Sequence, residues 1–308
     1  MPGVPIDEQS MADRTTNHLT DKTTSHSTRL SKDDNQVAGY NPASEKLMDG
    51  HPKDAGQVIG NKLSVIIITK NEAANIRACL ESVAWADEIV VVDSNSSDAT
   101  VDICKEFGAR VYVHDWPGFG AQKNRALSYA TNEWVLSIDA DERVTPELRA
   151  EIEAAINGQH GHAAFRMPRL SSFCGRYIRH SGWYPDYVSR LFRRGTAEFS
   201  DDLVHERLVV NGAVGTLQHH LIHETFHDLE SLLTKVNQYS TAGALMLGEK
   251  NKSASLKKAV GSALWAFLRS YILRAGFLDG REGFMIAIST AEVTYYKYLK
   301  LTLLSEKK

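Results

Sequence analysis

The stretch Trp134–Arg143, WVLSIDADER, decides how the rest of the chain is read. It opens apolar, with Trp134, Val135, Leu136 and Ile138, and ends in two carboxylates one residue apart, Asp139 and Asp141. A short apolar run that stops in Asp-x-Asp predicts a buried strand with paired anionic oxygens at a sheet edge. Hard divalent cations take oxygen ligands and often bridge protein carboxylates to a substrate's phosphates. One reading is therefore a metal–diphosphate site. The other is a solvated acidic turn closing a strand.

Working outward, LSVIIIT (Leu63–Thr69) is a continuous β-branched run, as expected of a strand covered on both faces. KNEAANIRACLESV follows, with Ile76, Leu80 and Val83 at helical spacing. EIVVVD (Glu88–Asp93) is a second buried strand ending in a carboxylate, and Ser97–Phe107 a second helix with Val101, Cys104 and Phe107 inward. RVYVH (Arg110–His114), the helix Gly120–Ala130 and WVLSID continue the alternation. Thr145-Pro146 starts a fourth helix, with an N-cap hydroxyl and proline at the first helical position, carrying Leu148, Ile152 and Ile156 inward. Four strand–helix units predict an α/β fold with a mostly parallel central sheet flanked by helices and right-handed crossovers. Ligands bind such sheets beyond the carboxyl ends of the strands. Thr69, Asp93 and Asp139 each end a predicted strand and should converge on one crevice, which favours the functional reading of Asp-x-Asp.

Residues 1–60 are polar, with few large apolar groups, and are expected to form a disordered N-terminal arm. Residues 61–227 form the catalytic domain in this reading. Within it HAAFRMP, DYVSRLFRR and Glu198–Val210 are shorter strands of a mixed extension. Residues 228–308 read as a helical C-terminal extension. The net charge of −3 over 308 residues does not suggest nucleic acid as a partner. It hides an asymmetry: residues 1–60 hold nine acidic and six basic side chains, residues 257–308 nine basic and four acidic. Cys79, Cys104 and Cys174 match no metal knuckle or redox pair, and the first two suit core packing in a reducing compartment. No signal peptide is expected from MPGVPIDEQS, and no apolar run reaches the length of a spanning helix.

The segments SVIIITKNEAANIRACLESV, EIVVVDSNSSDAT, GFGAQKNRAL and LSIDADE, in this order and spacing, resemble the signatures of family 2 inverting glycosyltransferases. SGWYPDYVSRLFRRG, LVHERLVVNG, LIHETFHDLESLLTKVNQYS and GFLDGREGF resemble a narrower subgroup containing lipopolysaccharide core β-1,4-glucosyltransferases. The resemblance covers Leu63 to about Leu301. It implies a GT-A (nucleotide-diphospho-sugar transferase) fold and transfer of a hexose, glucose from UDP-glucose above all, to a lipid-linked saccharide such as the lipopolysaccharide inner core.

In that family Thr69 and Glu72 would border the nucleotide, Asp93 would contact the uracil or ribose, and Asp139 and Asp141 would hold Mg²⁺ or Mn²⁺ against the diphosphate. Lys123 and Arg125, at the start of the third helix, can neutralise diphosphate; the competing reading is a solvated helix face. Arg190 and Arg193 can reach diphosphate or an anionic acceptor. An inverting reaction needs a general base within reach of the acceptor hydroxyl. The candidates are Glu206, favoured, then Asp202 and Asp201, with Asp186 less suited. The pair His205-Glu206 departs from the family's usual pattern. Trp183, Tyr184 and Asp186 in GWYPD suit an acceptor platform, or the two rings belong to the core. His223 is a candidate further metal ligand among His219, His220, His223 and His227.

The aromatic, basic tail suits peripheral contact with the inner face of the cytoplasmic membrane, against the alternatives of a helical cap or a dimer interface. A nucleotidyltransferase is the alternative enzyme, although TKNEAAN stands where its Gly-rich loop belongs. A catalytically lapsed sugar-nucleotide-binding protein is the non-enzymatic alternative.

Overall fold

The computed structural model describes residues 61–200, 207–226 and 228–306. Strands β1 (Leu63–Thr69), β2 (Glu88–Asp93), β3 (Arg110–Val113) and β4 (Trp134–Asp139) alternate with helices α1 (Ile76–Val83), α2 (Thr100–Glu106) and α3 (Phe119–Tyr129). They lie side by side in the order β3-β2-β1-β4, all parallel. Side chains alternate across a strand, and β1 is apolar throughout because both of its faces are covered. Leu63, Val65 and Ile67 pack with Ile76, Cys79, Leu80 and Val83 of α1 in one layer. Ile66 packs with Val90, Val92 and Ala126 in the other. After the three-residue β5 (Glu142–Val144), helix α4 (Pro146–Asn157) begins at Thr145, whose hydroxyl accepts the Leu148 N–H at 3.2 Å. Leu148, Ile152 and Ile156 are buried in the first layer.

Beyond β4 the sheet becomes mixed. The twelve-residue β6 (His162–Phe173) is followed by β7 (Arg176–Tyr177), β8 (Asp186–Arg193), β9 (Ala197–Phe199), β10 (Leu208–Val210), β11 (Ala213–Thr216) and β12 (Leu221–Phe226). The path continues β4-β8-β6-β12-β5. β8 is antiparallel to β4 and β6, β12 is parallel to β6, and β5 is antiparallel to β12. The β5 strand was not anticipated from sequence. Its three residues carry no periodicity, and only β12, far along the chain, supplies its partner. Through this pairing, His223 lies opposite Glu142.

The C-terminal part is α5 (Leu229–Glu249), α6 (Leu256–Leu268), a π-helical turn over Arg269–Leu273, a 3₁₀ turn over Gly276–Asp279, and α7 (Gly280–Glu306). Asp228 and Ser255 cap α5 and α6 by accepting the N–H groups of Ser231 and Lys258. Leu232, Val236 and Ile286 of these helices join Phe173 and Phe226 of the sheet and Trp183 of the β7–β8 loop in a third core. No helix among the described residues is long and apolar enough to cross a membrane.

Candidate active site

The parallel register brings the strand ends level: Thr69 lies opposite Asp93, and Ile68 opposite Asp139. The loops that follow are tied to one another by their own polar residues. The Glu72 N–H donates to Thr100 Oγ1 at 2.8 Å, Ala73 N–H to Asp98 Oδ2 at 3.1 Å, and Ser97 N–H to Asn71 Oδ1 at 2.8 Å. Asn71 takes a left-handed φ of 55°, which asparagine tolerates better than most residues. Asp93 is fully buried. Its Oδ2 accepts from Thr69 Oγ1 at 2.9 Å, and its Oδ1 from the Ser96 N–H at 2.8 Å. Asp93 therefore fixes the turn that carries SNSSD as well as ending β2.

At the end of β4 the carboxylates are held in a nearly dry lattice of charge. Asp139 Oδ1 meets Lys123 Nζ at 3.0 Å, and its Oδ2 accepts from Arg190 Nη2. The same Arg190 Nη2 donates to Glu142 Oε1 at 2.7 Å. Glu142 is fully buried, and its Oε2 also accepts the Asp139 N–H at 3.0 Å. Arg169 approaches Glu142 at 3.4 Å and places Nε and Nη2 on Asp186 Oδ2 at 3.1 and 2.8 Å. Burial alone would raise the Asp139 pKa, but Arg190, Lys123 and Arg169 outweigh it and hold the carboxylate far below its ordinary range.

Asp141 faces His223, with Nε2 3.3 Å from Oδ2. Burial would raise the Asp141 pKa, yet His223 keeps it low; in turn Asp141 overcomes burial to raise that of His223. On the other ring edge, Ser171 Oγ and Thr225 Oγ1 lie 3.1 and 2.9 Å from Nδ1. In the metal-free pair Nε2 carries a proton toward Asp141; if that proton is lost while Nδ1–H is held by the Ser171 and Thr225 hydroxyls, the Nε2 lone pair becomes available to a metal beside Asp141. A carboxylate and an imidazole so disposed fit Mg²⁺ or Mn²⁺, with imidazole favouring Mn²⁺. Among the described residues no cluster of three or more His, Cys, Asp or Glu is placed to hold a metal ion. Asp141 and His223 by themselves would make at most part of a coordination shell, so a metal here would need further oxygen ligands such as substrate phosphates or water. Glu72 lies close enough to feel Asp141 and Asp139, and burial foremost pushes its pKa up to about 7.

The sequence-derived candidates therefore divide. Thr69, Glu72, Asp93, Lys123, Asp139, Asp141, Arg190, Asp186 and His223 gather around the ends of β1, β2 and β4. Arg125 turns instead toward Asp115 Oδ1 at 3.2 Å and Gln122 Oε1 at 2.9 Å. Arg193 is three positions from Arg190 on one strand, so the two leave opposite faces of the sheet, roughly 10 Å apart. Arg193 lies opposite Trp134 at the start of β4, pairs with Glu133, and covers the Trp134 ring at 4.6 Å. Trp183 is buried in the third core, with ring centroids 6.0 Å from Phe173 and 6.1 Å from Phe226. Tyr184 is half-buried against His220 and Arg179. Asp201, Asp202, His205, Glu206 and His227 lie outside the described residues.

Glu142 and Arg169 were missed from sequence. Glu142 directly follows Asp-x-Asp, and Arg169 stands within the buried stretch Met167–Phe173 of β6, unlike the exposed Arg166 on the same strand. A charge at such an inward position is the signal that would have found it.

A mixed sheet flanked by helices, with carboxylates and cations collected at the strand ends, defines a GT-A-like transferase fold. Residues 64–216 match the family described as Glycosyl transferase family 2. An uncharacterized glycosyltransferase of Rickettsia prowazekii is 33% identical over 80% of this chain and 88% of its own length. The lipopolysaccharide core biosynthesis glycosyltransferase LpsC of Rhizobium meliloti is 31% identical over 77% of this chain and 93% of its own. Glucosyl-3-phosphoglycerate synthase of Mycobacterium tuberculosis, solved with Mn²⁺, UDP and phosphoglyceric acid, matches 35% of this chain and 43% of that one, at 25% identity and a TM-score of 0.31. The chain belongs to glycosyltransferase family 2.

Proposed function

We propose that this glycosyltransferase is a metal-dependent, inverting hexosyltransferase that moves glucose from UDP-glucose to a lipid-linked saccharide of the lipopolysaccharide inner-core type. The observation carrying this reading is the pairing of Asp139 with Lys123 and Arg190 beside Asp141 and His223. The name of the Rhizobium relative supports the acceptor class. Asp141 and His223 would hold Mg²⁺ or Mn²⁺, which supplies Lewis-acid stabilisation of the departing diphosphate. Lys123 and Arg190 are buried cations that can shift from Asp139 toward incoming phosphate oxygens. Thr69, Glu72 and Asp93 border the space for the nucleoside.

Inversion is a single displacement. The acceptor oxygen bonds to the anomeric carbon as the bond to the diphosphate oxygen breaks. The hydroxyl proton passes to a carboxylate, Glu206 in first place and Asp202 in second. The leaving nucleoside diphosphate takes the electron pair. Contact with a membrane surface is supported by the exposed Leu264, Trp265, Leu268, Ile272 and Leu273, with Lys257, Lys258 and Arg269 beside them.

The test is hydrolysis and transfer from UDP-glucose, UDP-galactose, UDP-N-acetylglucosamine and GDP-mannose, with and without Mn²⁺ or Mg²⁺. One donor should be consumed only with metal, and Asp141→Ala should lose that turnover. Glu206→Gln should still bind donor but fail to transfer. Metal-independent turnover, or turnover unchanged in Asp141→Ala, overturns the reading.

A further inference from the structure

A cavity of about 130 Å³ lies between the Ser181–Trp183 loop, the end of α6 with the π-helical turn, and α7. That is roughly ten times the ~10–15 Å³ needed to admit one water. Arg269, Arg274 and Lys297 all line it, and no acidic side chain does.

The carboxylates nearby in sequence are already engaged. Asp279 accepts from the backbone N–H groups of Arg179 and His180 and pairs with the His180 ring at 3.0 Å. Glu282 pairs with Arg281 and, at 3.9 Å, with Arg176. Among the described residues none of the three cavity cations has an ion-pair partner. Burial, and then Arg269, depress the Arg274 pKa; burial depresses that of Lys297. The Ser181 hydroxyl at the cavity wall is buried and has no hydrogen-bond partner in the structure.

The cations are nevertheless held in place. Gly182 has φ +83°, and a side chain there would collide with the Arg274 guanidinium. The Lys297 stem packs so closely on Gly243 that a Cβ there would lie 2.8 Å from its Cδ. Partly buried cations without counter-charge are costly, and holding two of them, with Arg269 a third at the wall, around one void is compensated when an anion enters it.

We infer that this cavity binds a phosphate group, held by Arg269, Arg274 and Lys297. Two sources share that chemistry: a free phosphoryl compound and a lipid headgroup. The setting fits the second. No acidic residue occurs from Lys250 to Leu278, while Ile272, Leu273, Phe277 and Leu278 beside the cavity are exposed. The site is separate from the Asp139–Asp141 cluster and does not depend on the donor assigned to it.

The test uses the full chain and two probes. Inorganic phosphate is titrated at constant ionic strength and thermal stabilisation followed. In parallel, sedimentation is measured with vesicles of phosphatidylethanolamine alone or mixed with phosphatidic acid. Arg274→Gln and Lys297→Met are compared with wild type, with Lys105→Gln, an exposed cation on α2, as the control outside both the cavity and the proposed membrane surface. We expect the two cavity variants to weaken the response at least tenfold and the control to leave it unchanged. In phosphate-free, low-salt buffer the cavity variants should melt no lower than wild type, because each removes one of three repelling charges. A variant that melts lower there shows that its charge is already compensated and overturns the inference.

A response to both probes, or to phosphatidic acid alone, that is lost in the variants assigns a lipid phosphate. A response to free phosphate alone, lost in the same way, assigns a soluble phosphoryl ligand. Responses equal in the variants and wild type, or no response to either probe, overturn the inference. Lys123→Gln separates the two sites: a phosphate response lost there but intact in Arg274→Gln places the anion at the Asp139 cluster and also overturns it.

Discussion

Replacing Glu142 with glutamine tests whether the charge lattice at the end of β4 is as dry as it looks. Glu142 is fully buried and receives Arg190 at 2.7 Å, Arg169 at 3.4 Å and the Asp139 N–H at 3.0 Å. Glutamine keeps the shape, and its carbonyl can still accept one of these bonds. It removes the negative charge, and its amide then faces guanidinium donors. Arg169 keeps Asp186 and Arg190 keeps Asp139, but both lose their shared buried partner, so the cluster becomes one charge more positive. Removing one partner of a buried ion pair costs about 3–5 kcal/mol. Each kcal/mol moves the midpoint of a chain this size by about 2–4 °C, so Glu142→Gln should melt about 6–20 °C below wild type.

Urea unfolding and calorimetry give the number. Adding Arg169→Met should recover part of the loss, because the double variant again balances its charges. A loss below about 1 kcal/mol would refute the reasoning, since that is what a hydrated surface pair contributes. The same substitution should weaken metal-dependent donor binding, because Asp139 and Arg190 both lean on Glu142.

Two further predictions follow from protonation. The folded-state pKa of His223 is raised by Asp141, so in metal-free protein this pair stabilises the fold below the free imidazole pKa and loses that contribution as pH rises through the folded value. A bound metal needs the neutral ring, so Mn²⁺ affinity should rise with pH over that same window with release of a proton, measured by calorimetry in buffers of different ionisation enthalpy. Glu72 has a folded pKa of about 7 against an ordinary 4.5, so its contribution to stability is complete below pH 4.5 and is lost as pH rises through 7. Glu72→Gln should flatten this part of the metal-free stability–pH curve, and an unchanged curve would show that the carboxylate is solvated.

The sequence by itself determined the first half of the sheet, the strand ends and the family. Runs such as LSVIIIT and WVLSID are continuous because both faces are covered, so their ends, and the crevice above them, can be read locally. The motif residues Asn71, Asp93 and Asp98 mostly act on neighbouring loops, and their spacing records that. Tertiary structure alone decided which charges meet. Arg190 and Arg193 look alike in SRLFRR, but strand alternation and the antiparallel register on β4 send one to Asp139 and the other to Glu133. Trp183, read equally well as platform or core, packs against Phe173 of β6 and Phe226 of β12. His223 reaches Asp141 because β12 pairs with β5, which has no local signature. Side-chain periodicity is written along the chain, but the partner of a buried charge is set by sheet register between segments far apart, and only the folded molecule specifies it.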